Sequence, residues 1–230
     1  MVGSALVVVF QAFNTLDIAG PICILSNSNF SITVAAKDEF TTSQENIVVK
    51  RTISFSEAKK HLSDYDILLV PGSRSRNILP YVQPENGQLL ELLDVIINFA
   101  KPESSVQADQ KQRTILSVCV GSLLLGYAGV LDGLTATTHR LAPKALRTAC
   151  EEYIIKTPGA KGTRIIPEDT SDTVSYCDAG INDSGVRVIT SGAVTNGIDA
   201  ALHFVALHMG RSAAVEVAEL VGHNWREVKA

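Results

Sequence analysis

Three observations predict an α/β fold, a three-layer sandwich with a mostly parallel sheet between two layers of helices. Short apolar, β-branched runs alternate with segments of helical periodicity along all 230 residues, which is the pattern of repeated βαβ units. Two of these runs, 67–70 and 115–118, are continuous rather than alternating, as in strands buried on both faces. Hydrophobic residues make up 46% of the chain and charged residues 19%, enough for a substantial core, and the whole of 1–230 reads as a single domain.

Each element can be read in order. Residues 6–10 are the first strand. Asp17 follows, ahead of an apolar segment, 18–25, that reads as a helix interrupted early by Gly20-Pro21; the plain structural role for Asp17 is the N-cap of that helix, which needs only an oxygen acceptor. Residues 32–36 are the second strand, 46–50 a short extended piece and 55–62 a helix. Strand 67–70 ends in Pro71-Gly72-Ser73, where glycine lets the backbone turn sharply and expose an N–H. Leu89, Leu92, Leu93, Ile96 and Ile97 give 88–100 a helical period, and the polar stretch 101–113 reads as a surface insertion. Strand 115–118 runs through Cys119 into a helix at 120–128. A turn at 130–133, a short strand at 134–138 and a helix at 142–153 come next. The stretch 157–183, rich in Gly, Pro, Asp and Thr, carries short extended pieces that the pattern does not place. Strand 186–190 and helices 198–209 and 213–221 complete the chain.

In parallel α/β sheets, ligands bind beyond the carboxyl ends of the strands. Asp17, Gly72, Cys119, His139 and Gly192 each follow a predicted strand, so the candidate residues share that address. Cys119 is the most informative of them. It stands at a strand-to-helix joint with no loop residues to spare, where the sulfur is displayed and the helix N-terminus favours negative charge. The local string S-V-C-V-G is similar to the G-x-S-x-G nucleophile elbow with cysteine in the serine position.

Bulk properties exclude several classes. Twenty basic residues stand against 24 acidic ones without a long block of either sign, which argues against nucleic acid and membrane surfaces as partners. No run approaches the roughly 20 apolar residues of a membrane span, and M-V-G-S-A-L-V-V-V-F reads as a first strand rather than a signal peptide. Cys23, Cys119, Cys150 and Cys177 form no C-x-x-C pair, which points to free thiols in a reducing, cytoplasmic setting. The five histidines show no metal-ligand spacing with the cysteines, so no metal is expected. Trp225 reads as a packing or dimer anchor.

Residues 117–139, S-V-C-V-G-S-L-L-L-G-Y-A-G-V-L-D-G-L-T-A-T-T-H, resemble the ThiJ/PfpI superfamily, with its class I glutamine amidotransferase-like, flavodoxin-type fold. The isocyanide (isonitrile) hydratase branch is the nearest in pattern. L-D-I-A-G-P at 16–21, D-I-L-L-V-P-G at 66–72 and I-T-S-G-A-V-T-N-G-I-D-A-A-L at 189–202 are similar to that branch and fall in the same order along the chain. The resemblance implies a nucleophile at Cys119, an acidic partner at Asp17, an oxyanion site from the backbone around Gly72, Ser73 and Val120, and a homodimer. Thr138, His139 and Gly192 complete the candidate substrate-binding set, although no role demands His139. Three departures stand out. Val120 occupies the position where hydratases usually carry threonine, Arg140 replaces a tryptophan, and P-G-S replaces P-G-G. Protease-like members place histidine directly after the cysteine; Val120 argues against that chemistry.

The resemblance therefore implies an enzyme acting on a small molecule without a cofactor. An isocyanide carbon is electrophilic enough to accept a thiolate, with Asp17 as the proton carrier. A glyoxalase or deglycase acting on α-oxoaldehydes, or another lyase or hydrolase, would use the same elbow. So would a redox sensor whose cysteine oxidises to a sulfinic acid. Sensor relatives with a DNA-binding domain carry it C-terminally, and the sequence to Ala230 leaves no room for one.

Overall fold

Seven strands form one sheet in the order β10-β11-β7-β6-β1-β2-β5. In chain order they are β1 (Gly3–Val8), β2 (Phe30–Ala36), β5 (Ile53–Ser54), β6 (Ile67–Val70), β7 (Thr114–Ser117), β10 (Tyr176–Ile181) and β11 (Arg187–Ser191). The structure, a computed structural model, describes residues 2–74, 78, 90–101, 112–167 and 174–228. All neighbours in the sheet run parallel except β10, which lies antiparallel to β11 at one edge. The four residues of β6 and the interior of β7 are fully buried, as their unbroken apolar sequence requires when both faces are covered. Two small sheets lie apart: the hairpin β3 (Phe40–Thr42) with β4 (Val48–Lys50), and the parallel pair β8 (Thr135–Ala136) with β9 (Arg164–Ile165).

Among the described residues there are seven helices: α1 (Thr15–Asn27), α2 (Phe55–Ala58), α3 (Leu90–Ala100), α4 (Ser122–Tyr127), α5 (Pro143–Lys156), α6 (Asn196–Met209) and α7 (Arg211–Leu220). They separate into two packed groups, α1 with α6 and α7, and α2 to α5, giving the two outer layers. This is the predicted α/β architecture.

Several elements differ from the sequence reading, each for a physical reason. Helix α1 runs straight through Gly20-Pro21 instead of being interrupted there. Packing holds this turn helical although Pro21 supplies no N–H, because it is where α1 meets α6. A Cβ on Gly20 would lie 2.8 Å from the Ile198 side chain, and one on Gly197 would lie 3.3 Å from Pro21 Cγ. The N-cap is Asn14, whose Oδ1 accepts from the N–H groups of Leu16 (3.0 Å) and Asp17 (3.2 Å); Asp17 sits inside the first turn. The helix expected over 55–62 stops at Ala58, and Leu62–Asp64 is a 3-10 turn. The strand expected over 134–138 shortens to β8 and belongs to a small sheet, so Thr138 and His139 do not follow a strand of the central sheet. Most of the expected insertion at 101–113 lies outside the described residues. Of the unassigned stretch, β9 and β10 are now placed.

Candidate active site

Strand β7 delivers the backbone to the carboxyl edge of the sheet, and the chain reverses there without a loop. Val118 is extended, Cys119–Gly121 is a 3-10 turn, and α4 begins at Ser122. Cys119 takes φ 57°, the left-handed region that side chains rarely enter, at a cost of about 1–3 kcal/mol. The surroundings hold it in place. Val118 N–H donates to the Val70 carbonyl (3.0 Å), and the hydroxyls of Thr138 (3.2 Å) and Ser122 (3.3 Å) both donate to the Cys119 carbonyl. Gly121 allows the turn to press against β6: a Cβ there would lie 2.5 Å from the Val70 carbonyl oxygen and 2.9 Å from that of Pro71.

Asp17 comes to the same place from the first turn of α1 and is completely buried. Its Oδ2 accepts a hydrogen bond from Gly72 N–H at 2.8 Å, while Oδ1 has no hydrogen-bond partner among the described residues. Gly72 fills the gap between the two candidates. A Cβ on it would stand 2.8 Å from Val120 N, 3.0 Å from Gly121 N and 3.0 Å from Asp17 Oδ2. The amide that the resemblance assigns to an oxyanion site is thus directed at the Asp17 carboxyl. Ser73 is buried and its hydroxyl donates to the Ala12 carbonyl, which ties this turn to the segment entering α1.

Burial pushes Asp17 up to about 7; the Gly72 N–H opposes that shift and the charge of Glu45 adds to it. Burial also pushes the Cys119 thiol up to about 12, with the nearby Asp17 charge adding and a hydrogen bond from the Val120 amide opposing. Each group raises the cost of charging the other, so the pair holds at most one negative charge at neutral pH. Two backbone amides compete for that charge. Gly72 N–H favours it on the carboxyl, and Val120 N–H favours it on sulfur. With the proton on Asp17, the orphan oxygen becomes a donor, and the sulfur is left as the nucleophile.

Gly192 follows β11, the strand next to β7, and its N–H donates to the Ser175 carbonyl at 3.0 Å. A Cβ on Gly192 would stand 3.6 Å from the Thr138 carbonyl oxygen, so Thr138, which also bonds the Cys119 carbonyl, links Gly192 to the elbow. Thr138 braces Cys119 rather than presenting a free hydroxyl. His139 is half-buried; its Nδ1 accepts from Leu141 N–H at 3.3 Å, and burial and the neighbouring Arg140 hold its pKa below the usual value. It closes the turn before α5. The described cavity lined by Ile97, Gly129, Asp132, Tyr153 and Asn182 lies at the other end of the sheet and includes none of these residues.

Four participants escaped sequence reasoning. Asn14 was legible, since an asparagine three residues before an acidic residue at a helix start is a capping pattern. Gly121 was present in the S-V-C-V-G string. Ser122 and Glu45 gave no signal. Glu45 accepts from Thr15 N–H (2.9 Å) and Thr15 Oγ1 (2.7 Å), and so brings a second carboxylate to the N-terminus of the helix that carries Asp17.

Among the described residues, no group of three or more His, Cys, Asp or Glu is placed to hold a metal, and no helix is long and apolar enough to cross a membrane. No disulfide joins any of the four cysteines.

The pattern of the DJ-1/PfpI family matches residues 3–207. An isonitrile hydratase of Pseudomonas putida is 32% identical over 132 residues, 56% of this chain and 49% of that protein, so the match spans about half the length of this relative. A ThiJ/PfpI family protein from Pseudomonas syringae superposes with a TM-score of 0.69 at 22% identity, over 98% of this chain and 76% of the other. Drosophila melanogaster DJ-1beta superposes with a TM-score of 0.68 at 15% identity, over 98% and 100% of the two chains. At these identities the two structures show a shared fold.

Proposed function

The chain belongs to the DJ-1/PfpI family, and from that premise we propose that it is an isocyanide hydratase-like enzyme that adds water to a small isocyanide to give an N-substituted formamide. The observation that carries this reading is the unpartnered, buried Oδ1 of Asp17 beside a strained, buried cysteine. The partial match to an isonitrile hydratase supports the choice of substrate class.

The proposed cycle needs one proton and one negative charge, which is what the pair holds. The Cys119 thiolate attacks the terminal isocyanide carbon, and protonated Asp17 delivers its proton to that carbon, giving an N-substituted thioimidate. The Asp17 carboxylate then takes a proton from water as the oxygen adds to the same carbon, and passes that proton to nitrogen. Collapse of the tetrahedral adduct returns the hydroxyl proton to Asp17, forms the formyl C=O and breaks the C–S bond. Thiolate and carboxylic acid are regenerated, so atoms and charge balance without a cofactor.

The test is a substrate panel run on the parent, Cys119→Ala and Asp17→Asn. Formamide release from an alkyl or aryl isocyanide, abolished in both variants, is the expected result. Turnover of methylglyoxal without turnover of isocyanides would replace this reading with a glyoxalase-type one. No turnover at all, combined with rapid peroxide oxidation of Cys119, would replace it with a redox sensor.

A further inference from the structure

The segment after α7 folds back across the first turn of α6, and its anchor is Asp199, a fully buried carboxylate. Asp199 Oδ1 meets His223 Nε2 at 2.8 Å and accepts from Arg226 N–H at 3.0 Å. Its Oδ2 is ion-paired with Arg226 Nη2 at 2.6 Å, and its backbone carbonyl accepts from Trp225 Nε1 at 3.1 Å. Trp225 therefore packs within the chain. This satisfies a buried charge, but it does not explain the other contacts of Arg226. The same Nη2 reaches Asn196 Oδ1 at 3.3 Å, and the Arg226 carbonyl accepts from Ser175 Oγ at 3.3 Å.

Asn196 and Ser175 both lie against Gly192, as Thr138 does. Asn196 Nδ2 would stand 3.2 Å from a Cβ on Gly192, and the Ser175 carbonyl accepts the Gly192 N–H at 3.0 Å. Sheet order puts β1 and β6, with Asp17 and Gly72, on one side of the elbow strand and β11, with Gly192, on the other. The geometry points to Arg226 as a positioning residue for the proposed reaction: by holding Asn196 and Ser175 together it sets the Gly192 wall of the substrate site, opposite Asp17. Both contacts use the same guanidinium nitrogen, Nη2, which stands farther from the backbone than a lysine ammonium does.

The inference rests on the isocyanide reading for substrate, so its test includes a readout that needs no turnover. Arg226→Lys keeps a cation against Asp199 and releases Asn196; Asn196→Ala releases the same contact and leaves the Asp199 pair intact. With an aryl isocyanide, each variant is expected to raise KM about tenfold and to change kcat less than about twofold, and the double variant is expected to add little to either single one. The ratio of Cys119 alkylation rates by N-phenylmaleimide and iodoacetamide should shift at least about threefold in both single variants, because a displaced wall changes access for the larger reagent more. If the parent turns over no isocyanide, the reaction assignment fails while the alkylation ratio still decides the role of Arg226. An unchanged ratio in folded Arg226→Lys and Asn196→Ala, or a lowered melting temperature with KM and kcat intact, overturns the inference and leaves Arg226 a structural anchor.

Discussion

Asp17 carries an energetic penalty as well as the proposed chemistry. An unfolded chain loses this proton near its ordinary value of 3.8, whereas the folded protein keeps it to about 7. Folding becomes less favourable as pH rises through that window, and the full penalty, on the order of 4 kcal/mol, applies above it. Asp17→Asn has no proton to lose. Its melting temperature should match the parent near pH 4 and exceed it increasingly up to pH 7 and beyond, by several degrees; a parent that gains on the variant as pH rises would show a carboxylate that is satisfied when charged. The pair must lose its first proton to hold the single negative charge that the proposed cycle uses, so activity is expected to rise through about pH 7. Glu45→Gln removes the like charge that helps hold the proton, so that limb should move to lower pH, as a pH–rate profile would show. Gly72→Ala puts a methyl group against two backbone nitrogens and the Asp17 carboxyl, none of which can give way easily. It should cost about 1–3 kcal/mol by denaturant titration, with Cys119 alkylation altered alongside.

At the scale of elements, the position of Asp17 depends on how closely α1 approaches α6. Gly20 and Gly197 keep side chains out of that crossing, and a Cβ on Gly197 would also come within 2.8 Å of Val118, the residue before the nucleophile. The packing of the two helices is therefore coupled to the elbow itself. Gly20→Ala should destabilise by about 1–3 kcal/mol through the clash with Ile198, and Gly20→Ala with Ile198→Ala should lose less than the two single changes summed. Additive losses in a double-mutant cycle would mean that the helices separate rather than collide.

Across the whole molecule, the last described residues close the structure. His223, Trp225 and Arg226 converge on Asp199, and Val228 N–H donates to the Tyr176 hydroxyl at 3.2 Å, so the final segment joins α6 to the antiparallel edge of the sheet. Removing residues 223–230 strands a buried carboxylate and should cost about 3–5 kcal/mol in equilibrium unfolding; Asp199→Asn in the truncated chain should recover a large part of that loss. If truncation leaves the unfolding midpoint unchanged, water already reaches Asp199 and the segment is not what satisfies it.

The α/β class, the strands at the centre of the sheet and the cysteine joint were legible because each is written in local pattern. Ile67–Val70 is too uniformly apolar to be anything but a doubly covered strand, and S-V-C-V-G carries its own turn chemistry. Boundaries were less legible where tertiary contact overrides local preference. Gly20-Pro21 looks like a helix break until α6 is seen packed against it, and residues 134–138 look like a strand of the main sheet until β8 is seen paired with β9. The sequence by itself determined the fold class and that Asp17, Gly72, Cys119 and Gly192 would follow strands of one sheet. Tertiary structure decided what contacts those residues make: which amide Asp17 accepts, that its second oxygen has no partner among the described residues, that Thr138 bonds the Cys119 carbonyl, and that Arg226 reaches Asn196. Those facts depend on contacts between positions such as 17 and 72, or 196 and 226, and no local pattern encodes contacts that only the packed sheet and helices bring within hydrogen-bonding distance.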